Sequence, residues 1–464
     1  MQTLKNTALQ LLLTGASALA PVMTAQAALA IEHWTQPSGA QIWFVPSPAI
    51  PMLDVQIDFD AGSRRDPAAQ AGLASATALM TGKGVRAAGG QPALGENQLG
   101  EAWADLGASF GAGASADRMS FHLRTLTDPA LLPRAVALAA RELAEPAFTP
   151  AVWQRERARL SAAIEESLTR PGAVAARAFS QVVHGGHPYG QETTPQTLAR
   201  ITAADLRAFH QRTIAPCRAK VSVVGAVSRA QADAIATQLL ARLPQASGSG
   251  CPPLPAVAEV PPLAQAAQID LPFQAAQAHV LIGQPGHKRS DPDFFPLLVG
   301  NHILGDGGFT ARLMHEVREK RGLSYGAYSQ FSPGLHAGAF TISLQTRPDQ
   351  ARQAVQVARD VLDGFVQNGP TADELQAAKD NLTGGFALRL DSNAKLLGNV
   401  ANIAWHGLPL DYLDHWTQRV NQVSAQDIRR AFQRVLQPGR MVTVTVGAPS
   451  QATPPAPAAP WKVH

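Results

Sequence analysis

The residues best suited to chemistry in this chain are Arg318 and Tyr325. A guanidinium and a phenol both donate hydrogen bonds to a carbonyl or carboxylate, and neither titrates near neutral pH. Such a pair is suited to holding an acceptor group rather than to moving a proton. An alternative for the same residues is a surface Arg318 paired with Glu316 or Glu319, and a Tyr325 half-buried in a sheet. Other candidates carry less. His184 and His187 form a His-x-x-His in a Gly-rich loop, without a carboxylate nearby in sequence. His302 and His315 fall at separate points on helices and read as packed or surface residues. Ser75 has no neighbouring His to activate it as a nucleophile. The run Gly305-Asp306-Gly307-Gly308 lacks both the Lys and the spacing of a phosphate-binding loop.

The elements that position Arg318 and Tyr325 lie in the stretch Leu304 to Ser329. Gly305, Gly307 and Gly308 open it, and Leu313, Val317 and Leu323 follow at helix-like spacing among charges. Gly322 breaks the helix, and Ser324-Tyr325-Gly326-Ala327-Tyr328 reads as the start of a strand. Arg318 is therefore expected near a helix C-terminus with Tyr325 on the strand that follows, a geometry that can aim both at one point.

A chain of 464 residues is too long for one ordinary core, so two or more domains are expected. Pro and Gly crowd residues 244–265, which read as an extended linker. The segments on either side repeat each other. Ile201-Thr-Ala-Ala-Asp-Leu-Arg resembles Val423-Ser-Ala-Gln-Asp-Ile-Arg at an offset of 222 positions, from 201 to 423. The same offset relates Pro216 to Pro438, Gly225 to Gly447, Thr149 to Thr371 and Leu160 to Leu382. Residues 31–243 and 266–448 are thus expected to be tandem homologous domains. In each, a β-rich opening leads to helices, further strands and long helices, and a final strand ending in Gly. That mixture argues α+β: a mainly antiparallel sheet with helices stacked on one face.

Residues 1–27 read as an export signal. Lys5 supplies charge, Ala8 to Ala20 is apolar, and Ala25-Gln26-Ala27 fits a small-x-small cleavage site. Later apolar runs fall short of the roughly 18 residues a membrane span needs, so a periplasmic product without a membrane anchor is expected. Residues 449–464 form a Pro/Ala-rich tail. Net charge is only +4 with no long basic run, which argues against a nucleic-acid partner. Two cysteines in an exported chain permit one disulfide, and the spacing leaves open whether Cys217 and Cys251 form it. Without a Cys-x-x-Cys they do not read as metal ligands.

The run Val317-Arg-Glu-Lys-Arg-Gly-Leu-Ser-Tyr325 resembles a C-terminal-domain signature of the pitrilysin/insulinase zinc peptidases, in which an Arg/Tyr pair binds substrate. The resemblance covers about Ile31 to Gly447. It implies two α/β domains forming half of a clam-like chamber, completed by a second subunit in short-chain members. Active members carry His-x-x-Glu-His on a helix, two imidazoles for zinc and a Glu as base. Here Gly72-Leu73-Ala74-Ser75-Ala76-Thr77-Ala78-Leu79-Met80 keeps the frame. The ligand positions, however, hold Ser75 and Leu79, and the base position holds Ala78. Glu156, in Gln154-Arg155-Glu156-Arg157, stands where the third ligand would fall, and Ala378 is its counterpart in the second half. One carboxylate without imidazoles does not hold zinc usefully, and a Glu among Arg residues reads first as a solvated helix-surface charge paired with them.

The resemblance therefore implies a non-catalytic chain with no metal or cofactor of its own. It would pair with a zinc-bearing homologue as a heterodimer and supply Arg318 and Tyr325 to bind peptide substrates. The alternative is a catalytically inactive homodimer that binds peptides or serves a structural role.

Overall fold

The computed structural model describes residues 29–244 and 251–447. The expected signal segment and all but the first residue of the linker's 244–250 portion lie outside the described residues, as does the tail.

Among the described residues the strands are β1 (Glu32–Thr35), β2 (Gln41–Pro46), β3 (Met52–Phe59), β4 (Gly84–Val85), β5 (Leu94–Gly95), β6 (Ser109–Ala114), β7 (Met119–Leu126) and β8 (Lys220–Gly225) in the first half. The second half has β9 (Ala267–Leu271), β10 (Ala278–Pro285), β11 (Ser324–Phe331), β12 (Ala339–Thr346) and β13 (Val442–Val446). β4 and β5 pair only with each other. The first large sheet runs β1-β2-β8-β3-β7-β6 and the second β9-β13-β10-β12-β11. Setting β1 aside, the orders correspond strand for strand. Pairings are antiparallel except β2 with β8 and β9 with β13. The expected α+β fold with two mainly antiparallel sheets is thus what the chain adopts.

The offset read from the sequence is an offset of structure. It carries the helix Ala203–Thr213 onto Ala425–Val435, the turn Pro216–Arg218 onto Pro438–Arg440, and β8 onto β13. The repeated sequence around Ile201 and Val423 is a helix start. Thr202 Oγ1 accepts from the Asp205 N–H and Asp205 from the Thr202 N–H, and Ser424 and Asp427 do the same. This capping box satisfies donors that a helix start otherwise leaves open.

Helices cover both faces of each sheet rather than one, which corrects the sequence-based expectation. The second face is covered by a helix from the other half. Pro171–His184 packs on β10 and β13, burying Ala175, Phe179 and Val183 against Val442, Val444 and Val446. Asn393–His406, the same helix moved by the same offset, packs on β3 and β8. It buries Leu396, Leu397 and Val400 in a cluster with Trp43, Val45 and Val224. β2 is therefore apolar on both faces, one toward its own half and one toward the other, whereas β8 turns Lys220 and Ser222 together with Val224 toward the other half.

Cys217 and Cys251 form a disulfide, with Cα atoms 5.7 Å apart. Beside it Arg218 Nη2 donates to the Pro252 carbonyl at 2.6 Å, and Arg65 donates to the Pro255 carbonyl. The linker is thereby fastened along the first half.

Candidate functional site

The segment before Arg318 is wound more loosely than expected. Phe294–Asn301 is α-helical, but His302–Asp306 and Met314–Glu319 are π-helical, on either side of the glycine run. The bonds Gly307 N–H to His302 O and Lys320 N–H to His315 O, at 2.8 and 2.9 Å, each span five residues. Such turns frequently mark functional positions. Gly322, at φ +60°, closes the helix: its N–H bonds Arg318 O and the Leu323 N–H bonds Val317 O. Leu323 thus ends the element as a cap instead of continuing it.

The same segment is fixed tightly to β11. A Cβ at Gly305 would lie 2.3 Å from the Ser329 backbone nitrogen, so only glycine permits that approach. Buried Asn301 donates to Ser329 O at 3.2 Å and accepts from Ser329 Oγ at 2.8 Å. At the start of β11 the register with β12 shifts between Ser324 and Ala327. The irregularity falls at Tyr325 and Gly326 on the sheet's edge strand, where bulges re-aim side chains.

The outcome is that Arg318 and Tyr325 meet. The Arg318 guanidinium lies 5.0 Å from the Tyr325 ring centroid and 4.8 Å from that of Phe309. Tyr325 is 81% exposed and Phe309 66%, so neither ring is a core residue. The carboxylates that would have claimed Arg318 are otherwise engaged. Glu316 pairs with Lys320 and Arg321, and Glu319 with His315. Among the described residues the guanidinium has no carboxylate partner, and the alternative of a paired surface Arg with a half-buried Tyr does not describe this site. Cation–π contact orients the guanidinium while leaving its N–H groups available to an acceptor.

The run expected to correspond to the zinc motif forms the helix Leu73–Thr81. The buried Asp66 carboxylate caps its start, accepting from the Gly72 and Ala74 N–H groups at 2.9 Å. Ser75 is exposed and Leu79 partly so, whereas Ala78 is buried. A Ser hydroxyl is a poor zinc ligand and a Leu side chain is none. Glu156 is buried rather than solvated, which corrects the expectation of a surface charge, although its Arg partners are as expected. Arg155 donates to it at 2.7 and 3.0 Å and Arg159 at 3.0 Å, and Lys83 Nζ lies 3.7 Å away. Burial alone would raise its pKa, but Arg155, Lys83 and Arg159 outweigh that and hold it below the usual carboxylate value. Among the described residues no group of three or more His, Cys, Asp or Glu side chains is placed to hold a metal ion. The residues present do not fit zinc.

His184 and His187 are placed by the structure in a junction between the halves. His187 Nε2 bonds the Ala258 carbonyl at 2.9 Å, and its ring lies 5.2 Å from that of His336. Tyr189 Oη donates to Asp117 at 2.6 Å, Asp117 accepts from the Leu335 N–H at 2.9 Å, and Arg64 bonds Asp117 at 3.1 Å. Sequence reasoning missed His336 and Asp117 because their partners are far away along the chain. His315 pairs with Glu319, and partly buried His302 keeps its pKa low through desolvation. Neither joins the site as a ligand.

Residues 46–194 match the family model described as Insulinase (Peptidase family M16), and residues 200–382 match Peptidase M16 inactive domain. The solved structure of a peptidase M16 inactive domain from Pseudomonas fluorescens is 32% identical. It covers 92% of this chain and is itself covered completely, with a TM-score of 0.85. An uncharacterized zinc protease of Streptomyces coelicolor is 30% identical over 290 residues, 60% of this chain and 61% of that protein. One of Mycobacterium bovis is 25% identical over 421 residues, 88% of this chain and 92% of that protein.

Proposed function

The chain belongs to the insulinase family of zinc peptidases, peptidase family M16, and from that premise we propose that it is the non-catalytic, substrate-binding subunit of a two-chain periplasmic peptidase. Its partner would be a zinc-bearing homologue, and the two would close a peptide-sized chamber. Arg318 and Tyr325 would donate hydrogen bonds to a bound peptide near the partner's zinc. They would contribute positioning and electrostatic stabilisation rather than proton transfer. One observation carries this reading. In a chain whose corresponding positions hold Ser75, Ala78 and Leu79, Arg318 and Tyr325 lie together, the phenol exposed and the half-buried guanidinium without a competing carboxylate among the described residues. A purely structural chain has no need to keep a guanidinium unpaired beside an exposed phenol.

The test is co-expression with a zinc-bearing homologue from the same source. Cleavage of unstructured peptides is measured for each chain alone, for the mixture, and for mixtures with Arg318→Ala or Tyr325→Phe. Activity is expected only in the mixture and is expected to fall at least about tenfold with Arg318→Ala, the loss of a charge-assisted hydrogen bond. A partner that cleaves equally well alone would sink the shared-site reading and favour the inactive homodimer.

A further inference from the structure

Tyr325 also borders a groove that the Arg/Tyr reading does not use. Its cavity volume is about 230 Å³, and it lies where the helix received from the first half, Pro171–His184, meets the open face of the second sheet. Gly172 and Ala176 border it on the helix side, and Tyr325 and Tyr328 on the edge-strand side. Between them Leu281, Ser343 and Tyr328 stand in register on three adjacent strands, all on one face. No Asp, Glu, Lys or Arg lines the groove. His279 does line it, and burial holds its imidazole below the ordinary pKa, so it adds no charge at neutral pH. The small residues keep the space open. Gly326 has a comparable effect, because a Cβ there would lie 2.7 Å from the Tyr328 ring.

An uncharged, ring-walled groove thus adjoins a tyrosine whose ring is stacked with an Arg lacking a carboxylate. The chemical complement is an apolar side chain directly beside a negative charge, which in a peptide occurs at the C-terminal residue. We infer that the groove and Arg318 together recognise a peptide's C-terminal residue, its bulky apolar side chain entering the groove and its terminal carboxylate pairing with the guanidinium. This rests on the reading of Arg318 and Tyr325 as peptide-binding residues and names the peptide end they take. Burial of an aromatic side chain and a charge-assisted bond to Arg318 each favour binding, so either loss weakens it about tenfold or more.

The experiment is fluorescence anisotropy on the mature chain with four labelled, unstructured peptides that differ only at the last residue. They end in Phe acid, Phe amide, Gly acid and Gly amide. Phe acid is expected to bind at least about tenfold tighter than Phe amide or Gly acid. Ala176→Trp, at an exposed helix position, fills the groove and is expected to erase the Phe preference while leaving the acid preference. Ser343→Phe fills it from the sheet and guards against a folding defect in the first variant. Arg318→Ala is expected to erase the acid preference alone. Equal binding of Phe acid and Phe amide, or a Phe preference that survives both filling variants, overturns the inference. If Arg318→Ala and Tyr325→Phe weaken all four peptides equally, C-terminal recognition fails while peptide binding by the pair stands. If neither variant affects any peptide, or no peptide binds, both fail.

Discussion

Arg155 donates two hydrogen bonds to the carboxylate of Glu156, its neighbour in sequence, at 2.7 and 3.0 Å. With Arg159 and Lys83 also on it, this carboxylate faces cations from the protein itself. A zinc ion placed here would therefore lack more than two imidazoles: the one carboxylate at this position is already held by the protein's own cations.

Rebuilding the imidazoles alone should accordingly give a poor site. Ser75→His with Leu79→His places two rings on one helix face, since residues four apart are neighbours there. Glu156 would stay clamped by its cations. The double variant is expected to bind zinc weakly, and adding Arg155→Ala and Arg159→Ala is expected to strengthen binding at least about tenfold by freeing the carboxylate. Isothermal titration with zinc chloride measures both. Equal affinities would mean that the cations do not compete.

A pH effect on stability should come from Glu142, which is 1% exposed. Its only hydrogen-bond donor among the described residues is Trp103 Nε1, at 2.8 Å. Burial raises its pKa from 4.5 to about 7. Between those values the folded chain holds a proton that the unfolded chain has released, so stability falls as pH rises through the window. The loss is at most about 3 kcal/mol, at 1.36 kcal/mol per pKa unit. Glu142→Gln keeps an acceptor for Trp103 without the charge and should flatten the slope. Asp66, likewise raised to about 7 by burial, adds a slope of the same sign that the variant retains. The readout is therefore the difference in urea midpoint between the two proteins at pH 5 and pH 8. Parallel pH profiles would clear Glu142 of the role.

The exchanged helices should make the halves unfold as one. Phe179, 5% exposed, reaches across to Gly283 of β10, where a Cβ would lie 2.8 Å from its ring. Phe179→Ala leaves a cavity between the halves and is expected to cost about 3–4 kcal/mol. Calorimetry should show a single transition at lower temperature. Two separated transitions already in the wild type would mean that the exchange does not couple the halves.

How much of this was legible in the sequence depends on how far apart the partners lie. The tandem repeat was readable because capping boxes at Thr202 and Ser424 and the strands β8 and β13 are local and keep one offset. The meeting of Arg318 and Tyr325 was readable because a short helix-to-strand turn joins them. The exchange of Pro171–His184 and Asn393–His406 was not, since an apolar helix face does not say which sheet it covers. Nor were the π turns, whose extra residue per turn leaves the spacing of Leu313 and Val317 consistent with an α-helix. At Glu156 the neighbouring Arg residues were visible, but Lys83 comes from a distant turn. The linker's Pro and Gly content was visible in composition, while its fastening to Arg65 and Arg218 was not.

That fastening gives a last prediction. The Cys217–Cys251 bond closes a loop with a sequence separation of 34. Cross-linking over such a loop restricts the unfolded chain by about 3–4 kcal/mol in the chain-entropy account. Removing it by Cys251→Ser is expected to cost roughly 2–4 kcal/mol. The hydrogen bonds from Arg218 to Pro252 and from Arg65 to Pro255 would remain, but on partly exposed groups they add only about 1 kcal/mol each. The variant's linker should therefore also open locally. Elastase, which cuts after small residues such as those between Ala256 and Ala258, is expected to cleave there faster in the variant than in the oxidised wild type. Reducing the wild type should reproduce both effects, which separates loss of the bond from any effect of the serine. If neither the melting temperature nor the cleavage rate changes, the protein contacts hold the linker unaided and the disulfide adds little to the folded state.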